Sequence, residues 1–289
     1  MDRLPSWLRQ HLAALRAVAV LTVLLGLVYP LVTTGLAQAL FNGNANGSMV
    51  EGEHGSALIG QSFTDKDGNP VTRYFQSRPS AAGDGYDPTS TSASNLGPED
   101  IVDTLPVPGA KDEEGNPDEG RRSLLTQVCA RSKAIGELEG VSGARPFCTP
   151  DGVGAVLKVF PGRAVSVNQA CPATAFLASY EGVRVECATP GEDLTGGVTT
   201  PVRGDAPAVP AVPADAVTAS GSGLDPQISP AYAAVQVARV ATARGLPAAE
   251  VAAAVERHTS GRTLGFLGEP NVDVLALNLE LDDQHPGRG

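Results

Sequence analysis

The sequence predicts an α+β protein: a single N-terminal transmembrane helix followed by an extracytoplasmic mixed domain with a disulfide-bearing insertion. Three observations predict this class. A charge-free stretch near the N-terminus is long enough to cross a membrane, four cysteines all follow it, and two helices with marked ends lie near the C-terminus. The segments are a cytoplasmic tail at 1–16, the membrane helix at 17–40, the extracytoplasmic domain at 41–105 and 211–289, and an inserted cysteine-containing region with a proline-rich tether at 106–210.

The membrane helix is predicted from a run between Ala17 and Leu40 that contains no charged residue and is apolar almost throughout. About 24 residues at about 1.5 Å each give a helix of about 36 Å, which exceeds the roughly 30 Å of a hydrocarbon core. Arg3, Arg9 and Arg16 precede the run, and an excess of basic residues is typical of the cytoplasmic side. We therefore expect a single-pass protein of the cell membrane with a cytoplasmic N-terminus.

Small residues in this helix permit close approach to other membrane helices, and four of them are predicted to pack there: Gly26, Thr33, Thr34 and Gly35. A cleavable secretory signal is the alternative, because residues 37–39 (Ala-Gln-Ala) have the small-x-small form of a cleavage site. The apolar run is longer than the core of a signal peptide, and Pro30 lies inside it. We therefore favour a retained anchor.

Composition and charge limit the partners of the domain. The 289 residues are 42% hydrophobic, which is ordinary for a folded chain. The net charge is −11, and because residues 1–16 carry +2, the remainder carries −13. Polyanions bind basic surfaces, so this balance argues against nucleic acid and anionic lipid headgroups as partners. Contact with membrane lipid is expected through the helix.

Residues 41–105 alternate short apolar pieces with turns and predict strands and loops, including a long loop around Asn95 of the kind that binds a ligand. The inserted region differs in texture, with short valine-rich pieces and an extended tether at 201–213. Its cysteines have no C-x-x-C spacing, which argues against zinc. Three disulfide pairings are possible, and we favour the two that close short loops, Cys129 with Cys148 and Cys171 with Cys187.

The first helix predicted in the C-terminal part has sequence signals at both of its ends. Ser229 can cap its N-terminus, Pro230 suits the first turn, an Ala/Val-rich run reaches Arg244, and Gly245 can take the left-handed conformation after the last turn. This pattern predicts a helix over 230–244.

A second helix is predicted from Pro247 to about His258, closed by Gly261. Residues 272–281 fit both a strand and a helix, because their leucines alternate while some of them also have helical spacing. The sequence does not decide between strand and helix for this segment. The predicted inner face of the second helix consists of Val251, Ala254 and Val255.

The chain carries none of the motifs of serine hydrolases, P-loop nucleotide-binding proteins or zinc metalloproteases. We therefore expect neither catalytic residues nor a metal site. One loop suggests a ligand, because alternating serine and glycine at 217–226 expose backbone N–H groups that can bind an anion ahead of a helix. A flexible turn is the alternative. The candidate residues are Ser220, Gly221, Ser222 and Gly223.

Short motifs follow one another in a fixed order on both sides of the inserted region. They are Tyr29-Pro30, Thr33-Thr34-Gly35, 55–61 with Phe63, Tyr74-Phe75, Arg78-Pro79-Ser80, Ser94-Asn95-Leu96, 217–226, Ile228-Ser229-Pro230, Gln236 with Arg239-Val240-Ala241, Gly268-Glu269-Pro270, and Asn278 with Leu281-Asp282. In this set the chain closely resembles the C subunits of Kdp potassium-transporting P-type ATPases. The resemblance covers about residues 12–105 and 212–283. The region 106–210 is expected to be much longer than in familiar members.

The resemblance implies a non-catalytic accessory subunit of a high-affinity, ATP-driven K⁺ uptake pump, needed for assembly and activity. Its partners are then a channel-like A subunit that carries K⁺, a P-type B subunit that hydrolyses ATP, and a small F subunit. Members have also been described as catalytic chaperones that raise the ATP affinity of the B subunit. The glutamine proposed to contact nucleotide corresponds to Gln236, with Ser220 to Gly223 upstream. No tightly bound cofactor is implied, and ATP belongs to the B subunit.

A cytoplasmic N-terminus places Gln236 across the membrane from cytoplasmic ATP, so this orientation and direct nucleotide contact exclude each other in one assembled state. We therefore expect Gln236 to lie on an exposed or half-buried helix face and to make a structural or subunit-interface hydrogen bond. The alternative function is that of a membrane-anchored extracytoplasmic binding or cell-envelope protein. Its ligand cleft would lie between the loops at Asn95 and Ser220.

Overall fold

The computed structural model describes residues 5–50, 55–111 and 114–284. The chain divides into two compact units, Met1–Leu58 and Ile59–Gly289. The first contains the N-terminal helix, and the second contains two β-sheets and the remaining helices.

One helix of 35 residues runs from Ser6 to Leu40 and has the length and apolar composition needed to cross a membrane. It begins well before the predicted start at Ala17, so Arg9 and Arg16 are helical as well. At about 1.5 Å per residue its length is about 52 Å, more than the thickness of a hydrocarbon core. The first unit consists of α1 (Ser6–Val23), a π-helical turn (Leu24–Val28), α2 (Tyr29–Leu40) and the short α3 (Asn42–Ala45).

The π-helical turn lies directly before Pro30. Proline has no N–H to donate, and its ring pushes away the carbonyl four positions earlier, which here belongs to Gly26. In the wider turn, the Tyr29 N–H donates to the Leu24 carbonyl five positions back. This local widening lets the helix continue through the proline.

The four predicted packing residues do not share one helix face. At about 100° per residue, Gly26 and Thr33 lie about 20° apart, whereas Gly35 lies on the opposite side. The Thr33 hydroxyl donates to the carbonyls of Tyr29 at 2.9 Å and Pro30 at 3.0 Å, within its own helix. Since α1, α2 and the π-helical turn bury no residue, the surface that carries Gly26 and Thr33 is open to a partner.

The first helix of the second unit is α4 (Leu124–Glu139), which the sequence pattern does not reveal. The Ser123 Oγ caps its N-terminus by accepting from the Thr126 N–H at 3.2 Å, and Gly140 ends it in the left-handed conformation. Although α4 lies within the predicted insertion, its Val128 and Ile135 pack against the main hydrophobic core. The buried residues of α4 are small or polar, which is why no apolar periodicity marks them: Thr126, Cys129, Ser132, Gly136 and Glu139.

A mixed five-stranded sheet follows α4, and its strand order is β3-β4-β2-β1-β5. The β2–β4 pair is parallel and the other pairs are antiparallel. A small core of Leu157, Ala164 and Val185 covers one face. The strands are β1 (Val156–Phe160), β2 (Arg163–Ala170), β3 (Ser179–Tyr180), β4 (Val183–Ala188) and β5 (Val198–Pro201).

Both disulfides favoured from the loop lengths are present. Cys129, which is buried in α4, pairs with Cys148 nineteen residues away. Cys171, at the end of β2, pairs with Cys187 in β4. The first bond ties α4 to the segment before β1, and the second joins two neighbouring strands. Each bond stabilises the folded state by about 3 kcal/mol, because the closed loop lowers the conformational entropy of the unfolded chain.

The first predicted C-terminal helix is confirmed at both ends. The Ser229 Oγ accepts from the Tyr232 N–H at 3.0 Å, Pro230 begins the helix, and Gly245 follows it in the left-handed conformation with φ of 67°. Residues 202–213 connect β5 to the next short helix, at 214–217, without helix or strand. The elements are α5 (Ala214–Val217), β6 (Gln227–Ile228) and α6 (Pro230–Arg244).

The second helix, α7 (Ala248–Arg257), is confirmed with its predicted end at about His258, but Gly261 does not close it. His258 ends the helix, because the next two residues form β7 (Thr259–Ser260) and pair with β8 (Asn271–Asp273). The strand pairing competes successfully with one more helical turn. Its predicted inner face is buried at Val251, Ala254 and Val255.

The open segment near the C-terminus is a helix, α8 (Val274–Gln284). The Asp273 side chain caps it by accepting from the Ala276 N–H at 2.8 Å. A strand at 272–281 would have buried Leu279 with its alternating neighbours, whereas Leu279 is only half-buried. The main core includes Phe75, Tyr232, Val240, Val251, Val272, Leu277 and Leu281.

Candidate functional site

The predicted anion-binding loop, Ser220 to Gly223, is closed by hydrogen bonds within the domain. Ser220 is buried; its N–H donates to the Pro79 carbonyl at 3.0 Å, and its Oγ accepts from the Gly223 N–H at 2.9 Å. The Ser222 Oγ accepts from the Leu224 N–H at 3.1 Å. An anion nest needs free N–H groups, and those of Ser220, Gly223 and the following Leu224 already have acceptors. The loop has the geometry of a structural turn.

The segment 80–92 fills the space beside this loop. The Ser80 hydroxyl donates to the Gly223 carbonyl and the Thr91 hydroxyl to the Ser222 carbonyl, each at 2.7 Å. Gly223 has φ of 74°, and a Cβ at this position would lie 2.6 Å from the Ala82 Cβ. Only glycine fits this close approach, so the serine-glycine pattern serves packing.

Arg78 binds the segments on either side of the Ser220 to Gly223 loop. Its Nη1 lies 2.9 Å from the Asp225 carboxylate, and its Nη2 lies 3.4 Å from the carbonyls of Thr218 and Ala219. The guanidinium thus contacts residues on both sides of the Ser220 to Gly223 turn.

Gln236 is fully buried, which corrects the expectation of an exposed or half-buried position. Its Oε1 accepts from the Gln76 N–H at 2.7 Å and from Arg239 Nη2 at 2.8 Å, and its Nε2 donates to the Gln76 carbonyl at 3.2 Å. The side chain therefore satisfies both polar groups of one buried peptide unit. A nucleotide could reach it only by opening the core.

Asn278 holds the preceding residue in the same way. Its Oδ1 accepts from the Phe75 N–H at 2.8 Å, and its Nδ2 donates to the Phe75 carbonyl at 3.0 Å. Backbone N–H and carbonyl groups buried in an extended segment need hydrogen-bond partners, which neighbouring strands usually supply. Here the side chains of Gln236 from α6 and Asn278 from α8 supply them. We call these four residues, Gln236, Asn278, Gln76 and Phe75, the amide clamp.

A buried ion pair borders the amide clamp. Arg239 Nε lies 3.0 Å from both oxygens of Glu139, and the two side chains are 7% and 1% exposed. Arg239 also donates to the carbonyls of Thr72 and Tyr74. Burial raises the pKa of Glu139 above its usual value, although Arg239 acts to lower it. The pair links α4 to α6 and to the segment before the clamp.

The structure therefore brings the Ser220 loop and Gln236 to one segment, residues 72–80, without forming an open site between them. Sequence reasoning missed Glu139, Gln76 and the clamp role of Asn278. Asn278 was marked by its place among the ordered motifs and as a polar residue between Leu277 and Leu279. Within 5–50, 55–111 and 114–284, no three histidine, cysteine, aspartate or glutamate side chains are grouped so as to hold a metal ion.

Comparison with known proteins identifies the family. The chain matches the profile of K⁺-transporting ATPase c chains, KdpC, over residues 11–105 and 195–283. The KdpC subunit of the potassium-transporting ATPase of Rhodospirillum rubrum is 38% identical over 282 residues, 96% of this chain and 98% of that protein. That of Gemmatimonas aurantiaca is 37% identical over 278 residues, 94% and 92% of the two chains. That of Beijerinckia indica is 36% identical over 281 residues, 96% and 95%.

These alignments take in nearly the whole of both chains, although the family profile leaves out residues 106–194. These relatives therefore carry an inserted region of similar length, whereas the family profile does not include it. The ordered motifs, the amide clamp they build and the N-terminal apolar helix all lie in the matched parts. The chain belongs to the KdpC family, the c chains of K⁺-transporting ATPases.

Proposed function

We propose that this chain is a non-catalytic accessory subunit that an ATP-driven K⁺ uptake pump needs for assembly and activity. The observation that carries the proposal is the amide clamp. The polar side chains of Gln236 and Asn278, which belong to the family motifs, are used up in hydrogen bonds to the backbone of the core. They therefore serve the fold and not a reaction. K⁺ is the ion that the complex transports. The proposed partners are a channel-like potassium-binding A subunit, the P-type B subunit that hydrolyses ATP, and a small F subunit.

The test of this proposal is K⁺-stimulated ATP hydrolysis by the other subunits, purified after expression with and without this chain. We expect K⁺-dependent hydrolysis only when the chain is present. Equal K⁺-stimulated rates in both preparations would contradict an essential accessory role.

We propose that the Ser6–Leu40 helix spans the membrane and that the second unit lies outside the cytoplasm. The exposed apolar surface of the helix supports the span, Arg9 and Arg16 at its N-terminal end support the orientation, and two disulfides are typical of an oxidising compartment. In a Val209→Cys variant, we expect a membrane-impermeant maleimide to label intact cells, because Val209 is 84% exposed. Labelling that appears only after the membrane is permeabilised would reverse the orientation.

An effect of the chain on the ATP affinity of the B subunit, the chaperone role described for the family, is then indirect. Gln236 has its acceptor and donor engaged inside the core, and two of the four N–H groups of the Ser220 loop already have acceptors within the domain. We propose that the chain changes nucleotide affinity by holding the other subunits in their assembled arrangement. A chain that binds the assembled arrangement more tightly than other arrangements shifts the equilibrium towards the assembled one.

A short hairpin between β7 and β8 offers a surface for that assembly. Leu264, Phe266 and Leu267 are 79%, 68% and 49% exposed within four residues of chain. The hairpin is nonetheless ordered by two hydrogen bonds of 2.9 Å between the backbones of Thr263 and Leu267. Large apolar side chains held out on an ordered turn mark an interaction site. We propose that they enter an apolar pocket on another subunit of the transporter.

Replacement of the most prominent ring, Phe266→Ser, is expected to lower recovery of the ATPase subunit on the tagged chain by about tenfold or more, as loss of an interface anchor does. The measurement is the amount retained after washing in mild detergent. Val209→Ser is the matched control, because Val209 is even more exposed but lies outside the hairpin. Normal recovery with Phe266→Ser would place the interface elsewhere.

A further inference from the structure

A cleft of about 380 Å³ lies between α4 and the segments 61–70 and 76–86, within the second unit. Its size falls within the range of small-molecule sites. The residues around it include Gln76 of the amide clamp and Tyr232 of α6. The accessory role proposed above makes no use of this space.

The charge of the cleft is opposite to that of the chain. The whole chain carries a net charge of −11, yet the cleft is lined by two arginines, Arg78 and Arg131, and by no aspartate or glutamate. Asp225, outside the lining, offsets the charge of Arg78 at 2.9 Å. Arg131 therefore supplies the net positive charge of the cleft.

Arg131 reaches only neutral acceptors among the described residues. Its Nη1 donates to the Val217 carbonyl at 3.1 Å and its Nη2 to the Gln127 Oε1 at 3.4 Å. Burial lowers the pKa of Arg131 from its usual value, as expected when a charge loses water without gaining a counter-ion. A half-buried cation without a counter-ion is stabilised by an anion.

Two buried polar atoms at the same cleft lack hydrogen-bond partners. In the described part of the chain, only three buried side-chain nitrogen or oxygen atoms have none, and two of them are Ser77 Oγ and Arg78 Nε. The third, Arg244 Nη2, lies 3.0 Å from Asp282. Ser77 Oγ lies near the Tyr86 phenol and acts to lower its pKa, which burial raises to about 12, but it makes no hydrogen bond of standard geometry. Buried donors without acceptors are rare and call for a ligand.

We propose that this cleft binds a compact oxyanion, a phosphate or carboxylate group, through Arg131, Arg78 Nε and the Ser77 hydroxyl. All three groups can donate, and an oxyanion supplies both the missing acceptor oxygens and the missing negative charge. Phe63 and Ile135 add apolar surface to the lining of the same cleft, and apolar surroundings strengthen such bonds. This proposal is independent of the transporter role.

The test is calorimetric titration of the full chain in detergent with inorganic phosphate and, separately, with acetate, at an ionic strength held constant with sodium chloride. We expect saturable binding of at least one of them, and the comparison tells which oxyanion the cleft prefers. Arg131→Gln should weaken that binding about tenfold or more, because a charge-assisted bond is lost. Ser77→Ala, which leaves both arginines in place, should weaken it by a smaller factor.

Arg122→Gln is the control, because Arg122 is exposed just before α4 and does not line the cleft. It should bind as the unaltered chain does. The absence of saturable binding by either anion, or equal binding by Arg131→Gln, would overturn the proposal and leave water in the cleft. Unfolding temperatures recorded without anion separate a loss of binding from a loss of fold.

Discussion

Replacement of Gln236 by alanine is expected to destabilise the second unit by about 3 to 5 kcal/mol, because it leaves a cavity and removes the partners of a buried peptide group. The Gln76 N–H and carbonyl lose bonds of 2.7 and 3.2 Å at a buried position. For a unit of this size, the midpoint of thermal unfolding should fall by about 6 to 20 °C. Assembled complexes that contain the variant should keep their apparent ATP affinity.

Two further variants make this result specific. Asn278→Ala removes the equivalent pair of bonds to Phe75, so it should match Gln236→Ala in stability and in ATP affinity. Gln284→Ala changes an exposed glutamine at the end of α8 and should change neither. A Gln236→Ala variant of normal stability with a several-fold weaker ATP affinity would restore the nucleotide-contact hypothesis.

Replacement of Arg239 by methionine should cost about 3 to 5 kcal/mol at neutral pH, because it leaves the Glu139 carboxylate buried without a counter-ion. Burial already raises the pKa of Glu139 in the folded chain. A raised pKa means that the folded state binds the proton more tightly than the unfolded state, so stability is lost as pH rises through that pKa. Without Arg239 the pKa of Glu139 should rise further.

The deficit of Arg239→Met should therefore shrink as pH falls from neutral towards the usual range of glutamate, where Glu139 becomes neutral in both proteins. Glu139→Gln in the same chain should recover part of the loss at neutral pH. The control is Lys133→Met, which breaks an exposed pair with Glu137 whose atoms are 3.9 Å apart and should cost under about 1 kcal/mol. Unfolding curves measured across pH check this, and a deficit that does not vary with pH would contradict the role of Glu139.

Local signals made the helices near the C-terminus predictable. The Ser229 cap and the left-handed Gly245 act within a few residues of the helix they bound, so their effect can be read without the fold. The membrane helix is equally local, since composition alone marks it. The end of α7 at about His258 was also predictable, but Gly261 does not close the helix, because pairing of β7 with the distant β8 begins directly after His258.

The amide clamp could not be predicted from the sequence. Gln236 lies 160 residues from Gln76, and Asn278 lies 203 residues from Phe75, and nothing local states which glutamine or asparagine will bond a buried backbone. The family resemblance named Gln236 but assigned it to nucleotide, and only its burial shows what it touches. Helix α4 escaped notice for a related reason, since its buried stripe is built from small and polar residues such as Ser132 and Gly136.

The most direct test of the accessory role is to extract the tagged full-length chain from its native membranes in mild detergent and identify the co-purifying proteins by mass spectrometry. We predict recovery of a P-type ATPase subunit and a channel-like subunit in a fixed ratio to the chain. Recovery of the chain alone, under conditions that keep other membrane complexes intact, would contradict the role and favour a free-standing anchored binding protein.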